Sequence, residues 1–488
     1  MQVTMVAAAS LNHLSDVVRQ IGLEPAQPRD SLNVLRVHPA QILPFDVLSQ
    51  IFTDCVPASH KGGDFPTTSA KREPLLLGRV CSHWRRVALA THLLWAKLNI
   101  VYRYHRIAQR SPRNSFKPAV AEWANRAGQC ALSYHISAES YSIPEDENLV
   151  TEVVDAIIPH RERWRHISGI LPLAQWTAIC SAIANGAPLL ERLHISGYIG
   201  SNERIDIELL TTPLLETLVL KVNHRVLGLD ACQQSLRNLS VCGTDPIDCM
   251  SYLLHCPNLE VFSLKNEKIY RDVTYWHAGI VKTMRLVSLE LDAIFAGHIL
   301  DCLHSPLLKT LQFSSLRSGQ QLKSCLDRSK PPLTSLDATA WINLADLFDS
   351  LRYVPGLKVL RIREKPEMWS QQVERLKLGP RINENICPGL KLMEFDGCIG
   401  GDMKYLEDVV LSRWKGRTDV ATIPSSTTGS KSALDGGWER NLSHVIINDW
   451  MSDQGSLSRF TERPMIQKFT AEGLHVFEDD PFDSDYSV

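Results

Sequence analysis

The sequence lacks the features that mark several large functional classes. Its 488 residues carry a net charge of −2, whereas wholesale binding to nucleic acid or to an anionic membrane surface requires a marked basic excess. None of the 12 cysteines belongs to a CxxC pair, which disfavours zinc and predicts mostly buried thiols in a reducing compartment. No run approaches the roughly 18 apolar residues of a membrane span, and the first ten residues have no positive charge of the kind a secretory signal carries. We therefore expect an intracellular protein, cytoplasmic or nuclear, without metal or cofactor.

Motifs of the common enzyme families are absent as well. The phrases GxGxxG, HExxH, GxSxG and GxxxxGK followed by Ser or Thr do not occur, so nucleotide binding, zinc proteolysis and serine hydrolysis lack their usual signatures. Residues 160–166 gather two histidines, three arginines and Trp164, which would suit a phosphate or RNA patch. Such a run is more often the solvated face of a helix around one buried aromatic, and we favour that interpretation. We assign no catalytic residue and expect a protein that is not an enzyme.

Two apolar segments near the N-terminus predict a small module of two or three helices. In the first, residues 43–52, Pro44 suits a first helical turn because its missing N–H would have no partner there. The apolar side chains that follow recur on one broad helical face, namely Val47, Leu48, Ile51, Phe52 and Cys55. The second segment, residues 75–88, repeats apolar residues at three- and four-residue intervals, and residues 60–73 between the two read as a surface loop. So few residues cannot bury this much apolar surface, so we expect the module to dock on another protein.

The module resembles the F-box, the adaptor-docking motif of SCF-type (Skp–cullin–F-box) ubiquitin ligases. The resemblance covers residues 41–98 and rests on an ordered set of motif positions: Leu43-Pro44, Asp46, Ile51-Phe52, Val80-Cys81, Trp84-Arg85 and Leu94-Trp95. Asp46 stands where the family usually has Glu, and the segment between the two halves is longer than in the minimal motif. A small helical cap on the following domain is the alternative interpretation.

The rest of the chain repeats one phrase, a helix-like run, a turn and then Leu-x-x-Leu-x-Leu. The nine copies have their apolar positions at Leu190/Leu193/Ile195, Leu215/Leu218/Leu220, Leu236/Leu239/Val241, Leu259/Phe262/Leu264, Leu286/Leu289/Leu291, Leu308/Leu311/Phe313, Leu333/Leu336/Ala338, Leu357/Leu360/Ile362 and Leu390/Met393/Phe395. Seven of the eight spacings lie between 21 and 27 residues and the last is 33, compared with about 20–29 in leucine-rich repeats. The period therefore predicts strand–helix units that share a continuous core.

These repeats depart from the usual leucine-rich pattern at one position. The Asn that normally ends the strand phrase and hydrogen-bonds to the next turn occurs only once, as Asn223. We therefore expect an α/β fold in which the short helical F-box module precedes an irregular leucine-rich-repeat solenoid, or horseshoe, of strand–helix units. A doubly wound α/β sheet is the alternative, although that fold requires no fixed sequence period.

The sequence divides into six predicted regions. Within the repeats, residues 365–386 form an insertion with Trp369 that has a helical pattern, and an earlier strand at residues 132–136 opens the stack. The regions are an N-terminal helix and linker (1–40), the F-box-like helices (41–98), the repeats (119–415), a flexible insertion (416–440), C-terminal capping strands (441–477) and an acidic tail (478–488).

The resemblance implies the substrate-recognition subunit of an SCF-type E3 ubiquitin ligase. Its partners would be a Skp-family adaptor, through it a cullin, and an unidentified protein substrate, with no nucleic acid. The adaptor contact would come from Leu43, Pro44, Val47, Ile51, Phe52, Val80, Cys81 and Trp84, although some of these must hold the module together. A leucine-rich scaffold without ligase function and a ligand-binding F-box receptor are the alternatives.

The substrate would bind residues that alternate with the strand leucines. In a strand, alternate side chains point to opposite faces, so these residues are expected on the concave side of the solenoid. The candidates run basic, acidic and basic along the chain: Arg192, His194, Lys221 and Lys265, then Glu290, Asp292 and Asp337, then Arg361 and Arg363. Mixed sign favours a protein surface of complementary charge over a uniform polyanion.

Overall fold

The computed structural model divides by its internal contacts into two units, residues 1–48 and 49–488. Residues 43–48 are described in the first unit. In the second, the described residues are 49–57, 62–102, 117–138, 144–197, 204–243, 246–266, 279–314, 316, 319–339, 344–363, 372–381, 384–396, 403–414, 441–448 and 460–479. The predicted N-terminal helix and linker, Trp369 and the flexible insertion at 416–440 lie outside the described residues.

The α-helices are short and are distributed along the whole described chain. In chain order they are α1 (Phe45–Cys55), α2 (Ser82–Ala90), α3 (Lys117–Arg126), α4 (Pro144–Ile157), α5 (Leu173–Ala184), α6 (Pro246–His255), α7 (Ala296–Cys302), α8 (Gly319–Ser329), α9 (Leu344–Leu351), α10 (Lys404–Arg413) and α11 (Pro464–Ala471). The helix expected from the apolar face at 47–55 is thereby confirmed.

The β-strands form one large sheet and two small pairs. They are β1 (Lys97–Tyr102), β2 (Leu132–Ala138), β3 (Trp164–Ile170), β4 (Arg192–Ser196), β5 (Ile205–Glu208), β6 (Thr217–Lys221), β7 (His224–Leu227), β8 (Asn238–Cys242), β9 (Val261–Asn266), β10 (Val281–Lys282), β11 (Ser288–Ala293), β12 (Leu303–His304), β13 (Thr310–Ser314), β14 (Ser335–Thr339), β15 (Val359–Arg363), β16 (Leu392–Asp396), β17 (His444–Asn448) and β18 (His475–Asp479). Among the described residues, the large sheet contains 14 strands, while β5 pairs with β7 and β10 with β12.

Every pairing in the large sheet is parallel, and its strand order follows the chain without reversal from β1 to β18. The fold is therefore mixed α/β with a large parallel sheet. A doubly wound sheet would reverse its strand order at a switch point, whereas here the chain order continues across all 14 strands, which is compatible with stacked strand–helix units.

The nine repeated phrases supply nine consecutive strands of this sheet. The second and third apolar residues of each phrase face the core from the strand, and the first lies in the turn before it; all 27 side chains are buried. In register, Leu311 lies between Leu289 and Leu336, and Phe313 between Leu291 and Ala338. The leucine pattern therefore predicted both the strands and the face that each strand buries.

The sheet begins earlier than the sequence indicated. Strand β1 starts at Lys97, within the region predicted to belong to the helical module, and the loop before it covers the sheet edge. The Asn99 N–H donates to the Pro66 carbonyl at 2.7 Å, and the Asn99 side-chain amide donates to Gly63 at 3.1 Å. Phe65 and Pro66 are buried, so the expectation of a wholly surface loop at 60–73 is wrong.

A ladder of main-chain hydrogen bonds joins the repeats just before each strand. The Glu216 carbonyl accepts the N–H groups of Arg237 and Asn238, both at 2.9 Å. The same double acceptance recurs, at 2.7–3.1 Å, at the carbonyls of Glu191, Glu216, Arg237, Glu260, Val287, Lys309, Thr334, Lys358 and Lys391. Because the bonds use only backbone atoms, this ladder connects neighbouring units where the repeats lack the expected asparagines.

Arginine side chains form a second connection between successive units. At the C-terminus of α7, where helix carbonyls lack intrahelical partners, Arg328 donates to Leu300 O at 2.8 Å and to Leu303 O at 3.0 Å. Arg163 donates to Cys130 O in the turn before β2, and Arg375 donates to Ala345 O near the start of α9. Each arginine satisfies main-chain acceptors of the preceding unit.

The described cysteines are free thiols, and seven of the eleven are buried. Burial raises the pKa of the Cys180 thiol to about 12 and that of Cys387 to about 12. These thiols are therefore protonated near neutral pH, as expected for cysteines that act as small core side chains.

Candidate functional site

The first unit contributes the start of α1 to the predicted docking module. Val47 and the neighbouring Phe45 expose nearly half of their side chains, Pro44 is exposed and Leu43 is half-buried. Leu48, in contrast, is fully buried. Three of the predicted contact residues are thus accessible, and Phe45 adds an accessible aromatic ring that the sequence had not singled out.

The second unit places Phe52 in its core. Its side chain is 0% exposed, and its ring centroid lies 5.0 Å from that of the half-buried Trp84. Phe52 therefore helps to hold the module together, the role that the sequence analysis left to some of these residues. Ile51 and Trp84 are partly accessible.

Cys81 divides the second predicted helical segment. Its extended backbone (φ −158°, ψ 173°) makes it the N-cap of α2, and its Sγ accepts the Trp84 N–H at 3.4 Å. A short 3-10 turn, Leu77–Arg79, precedes it. The continuous periodicity over 77–88 therefore spans a turn and a helix, and Cys81 is a half-buried capping residue.

Apolar side chains around this break face solvent. Val80 is 57% exposed and Leu93 is 61% exposed, and Leu76 and Leu89 are also accessible. The sequence had identified only Val80 among them, because Leu76, Leu89 and Leu93 lie outside the apolar periodicity that marks the buried stripe. Four large apolar side chains are therefore accessible within one short segment of the chain.

The candidate substrate residues share one face of the large sheet, which we call the polar face because it carries the residues between the buried leucines. From β9 onwards, cations on this face are paired with carboxylates. Lys265 Nζ lies 3.0 Å from Glu290, Arg361 Nε lies 2.8 Å from Glu394 and Arg363 lies 3.3 Å from Asp337. The charges that alternate in sign along the sequence therefore neutralise one another across neighbouring strands.

Asp337 is the most buried of these charged residues, with 7% of its surface exposed. Desolvation raises the pKa of its carboxyl, and the nearby Arg363 and Arg361 oppose that rise. Glu394 and Asp396, which also contact Arg363, were not identified from the sequence. They become apparent only when β15 and β16 are placed in register.

Between β2 and β6 the polar face has a different composition. His135 Nδ1 lies 2.9 Å from Ser168 Oγ, and His194 Nε2 lies 3.1 Å from Ser196 Oγ. Arg192 and Lys221 lie on the same face, and neither makes a hydrogen bond or ion pair with another described residue. Hydroxyls and imidazoles here occupy the positions that carboxylates occupy further along the sheet.

The environment of His194 keeps its imidazole neutral near pH 7. Desolvation, with smaller contributions from Lys221 and His135, lowers the pKa of His194 to about 4. Desolvation also lowers the pKa of His135. Two neutral rings therefore lie beside two cations on this part of the face.

Acidification is expected to weaken the fold through His194. The unfolded chain binds the His194 proton near the ordinary pKa of 6.5, but the folded chain binds it only near pH 4. The contribution of neutral His194 to the free energy of unfolding is thus fully present above pH 6.5. It is lost as pH falls from 6.5 towards 4, by about 1–2 kcal/mol after allowing for partial exposure. Urea unfolding at neutral and acidic pH should show a smaller loss for His194→Gln than for the wild type. An equal loss in both proteins would contradict the prediction.

A polar cavity of about 410 Å³ lies beside the insertion between β15 and β16, lined in part by four basic residues, Arg352, Arg375, Lys377 and Arg381. Each has a carboxylate neighbour: Asp349 for Arg352 and Arg375, Asp408 for Lys377 and Glu384 for Arg381. The lining is therefore internally compensated and offers little unpaired charge to a ligand.

The basic and aromatic run at residues 160–166 has a structural role. Trp164 is fully buried, so its ring cannot stack on a base, and Arg165 lies 2.9 Å from Glu191. The run occupies a 3-10 turn, Ile158–Arg163, and strand β3, so the expected buried aromatic is confirmed but the expected helix is wrong.

No protein-family model matches the chain, and no curated protein matches its sequence. Within the described ranges, no helix is both long and apolar enough to cross a membrane. Among those same residues, no three His, Cys, Asp or Glu side chains are grouped as metal ligands. The functional interpretation therefore depends on the geometry of the docking segment and of the polar face.

Proposed function

We propose that the chain is the substrate-recognition subunit of an SCF-type ubiquitin ligase, with an F-box-like module at residues 43–95 and a divergent leucine-rich-repeat solenoid after it. The observation that supports this proposal most directly is the set of accessible apolar side chains at Leu76, Val80, Leu89 and Leu93. They lie within the segment that carries the second half of the F-box resemblance.

The module would bind a Skp-family adaptor through these side chains, while Phe52 and Trp95 hold its interior. Burial of apolar surface is the main favourable term in such an interface. The repeats would hold a protein substrate near the charged ubiquitin-conjugating enzyme of the assembled ligase. Proximity and effective concentration would then provide the rate enhancement, and the chain itself would need no catalytic group.

Co-expression of the full chain with the Skp-family adaptor tests the proposal. We expect a stoichiometric complex with the wild type and a loss of about 100-fold or more in affinity for Val80→Asp combined with Leu93→Asp, because charged groups would have to be desolvated at an apolar contact. Both positions are exposed in the free protein, so the variant should fold normally by circular dichroism.

Leu214→Asp combined with Leu307→Asp is the matched control, because these leucines are similarly exposed but lie in turns between repeats. This variant should bind the adaptor as the wild type does. Absence of a complex with folded wild-type protein would overturn the ligase proposal and favour a repeat scaffold. Equal binding by both variants would show that the segment at 76–93 is not the docking surface.

A further inference from the structure

The cations on the polar face differ in whether a carboxylate lies beside them. On β9, β15 and their neighbours, Lys265, Arg361 and Arg363 each lie within 4 Å of a carboxylate. On β4 and β6, the side chains of Arg192 and Lys221 have no such partner among the described residues. The Nε atoms of Arg192 and of Arg363 are both buried without a hydrogen-bond partner. This part of the face therefore carries two cations that no described carboxylate neutralises, whereas a carboxylate lies beside each cation of the other part.

The register of the strands places these cations on either side of His194. Arg192, His194 and Ser196 alternate along β4 and so project from the same face. Ser196 pairs with Lys221 on β6, and His194 pairs with Ser168 on β3. Arg192 therefore lies four residues, about 13 Å of strand, before the Ser196–Lys221 pair, and the His194 imidazole lies between them.

The hydrogen bonds on this face leave it able to accept a negative charge. Ser168 Oγ lies 3.3 Å from the Tyr134 carbonyl, to which it donates, so it accepts from His135 Nδ1 at 2.9 Å. The nearest acidic side chain in sequence, Glu191, is engaged by Arg165 at 2.9 Å. Positive charge and neutral donors therefore dominate, which is the composition that oxyanions prefer.

We propose that Arg192, Lys221 and the His194–Ser196 pair form an oxyanion site that takes a carboxylate or phosphate group. Arg192 would supply a planar fork of N–H donors and Lys221 a mobile ammonium, while the Ser196 hydroxyl would supply a short neutral donor. Binding would give the Arg192 Nε a partner and would offset the positive charge beside His194.

The anion is carried by a polypeptide segment of the substrate. This assignment of the carrier rests on the proposed receptor function, whereas binding of the anion itself does not. The self-neutralised pairs from β9 onwards would then limit attraction of acidic segments to the β3–β6 region.

Titration of the full chain with inorganic phosphate, followed by the NMR signals of labelled histidine imidazoles, tests the site. The His194 signal is assigned by its loss in His194→Gln. With ionic strength held constant by chloride, we expect a saturable shift of this signal and a rise in the His194 pKa. Acetate provides the second arm, because saturation by acetate identifies a carboxylate site and saturation by phosphate alone identifies a phosphate site.

Lys221→Met should weaken the affinity for the anion about tenfold, as expected for loss of a charge-assisted contact. Arg192→Met should weaken that affinity further. Lys221 is exposed, so its variant should remain folded. Lys265→Met, which removes a carboxylate-paired cation, should leave the affinity unchanged. An unsaturable response to both anions, or an unchanged response in Lys221→Met and Arg192→Met, would overturn the proposal. Neither result involves the adaptor, so failure here is distinguishable from failure of the ligase assignment.

Discussion

Arg413→Met is expected to destabilise the second unit by about 3–5 kcal/mol, because three main-chain acceptors would lose a charged donor. Arg413 is 1% exposed and lies at the end of α10. Its guanidinium donates to Leu376 O at 2.7 Å, Ile386 O at 2.6 Å and Cys387 O at 2.7 Å. One side chain therefore satisfies three main-chain carbonyls in the described part of the segment between β15 and β16.

The electrostatics of Arg413 explain why the loss should be large. Desolvation lowers its pKa to about 10, so it stays charged at neutral pH and depends on those carbonyls for solvation. Methionine matches part of its volume but offers no donor. The free energy of unfolding of Arg413→Lys should lie between those of the wild type and Arg413→Met, because an ammonium cannot reproduce a planar fork that reaches three separate acceptors.

The measurement is urea unfolding monitored by circular dichroism, with hydrogen exchange over residues 372–390 to localise the effect. Arg381→Met is the control, because Arg381 forms an exposed pair with Glu384 at 3.1 Å, and such pairs contribute about 0–1 kcal/mol. A stability of Arg413→Met within about 1 kcal/mol of wild type would show that water replaces the guanidinium.

Gly169→Ala is expected to cost about 3 kcal/mol or more, and the cause is contact with backbone rather than with side chains. Gly169 lies in β3 between Ile136 of β2 and Ile195 of β4. An added Cβ would lie 1.9 Å from the Ile136 carbonyl oxygen and 2.9 Å from its carbon. No change of rotamer relieves such a clash, so the strands would have to separate.

Gly356→Ala provides the matched comparison, since nothing lies within 4 Å of its added Cβ. Alanine there should be neutral or should stabilise by about 0.4–1 kcal/mol through the unfolded state. Thermal unfolding of both variants measures the difference. Equal transition temperatures would mean that β2 and β3 are more loosely paired than their register indicates.

Local pattern and repeat spacing were enough to predict most strands of the large sheet. The phrase at Leu289 and Leu291, for example, combines period-two burial with a fixed distance to the next phrase. Strand β1 was missed because Lys97–Tyr102 lacks that phrase. It follows the 3-10 turn His92–Trp95 and not one of the turns that begin the repeated phrase. Strand β3 was mistaken for helix because its Arg, His and Trp residues matched a surface pattern.

The candidate sites depended on contacts between distant parts of the chain, and those contacts were less predictable. The apolar patterns of the two segments identified Phe52 and Val80 alike, but they could not show that Phe52 packs inside while Val80 faces solvent. The pairing of Arg361 with Glu394 spans 33 residues and requires the register of two strands. Burial of Arg413 likewise depends on a segment that lies before its own helix.

The main-chain ladder before the strands also determines how freely this protein can diverge. Its nine acceptor positions are occupied by Glu, Arg, Val, Lys and Thr, and a carbonyl oxygen serves equally well on any of them. At the donor positions only proline is excluded, since it alone lacks the N–H. A protein whose repeats are connected by such a ladder can change almost every side chain at these positions and keep its architecture. Few residues are then fixed there by which distant homologues could be recognised.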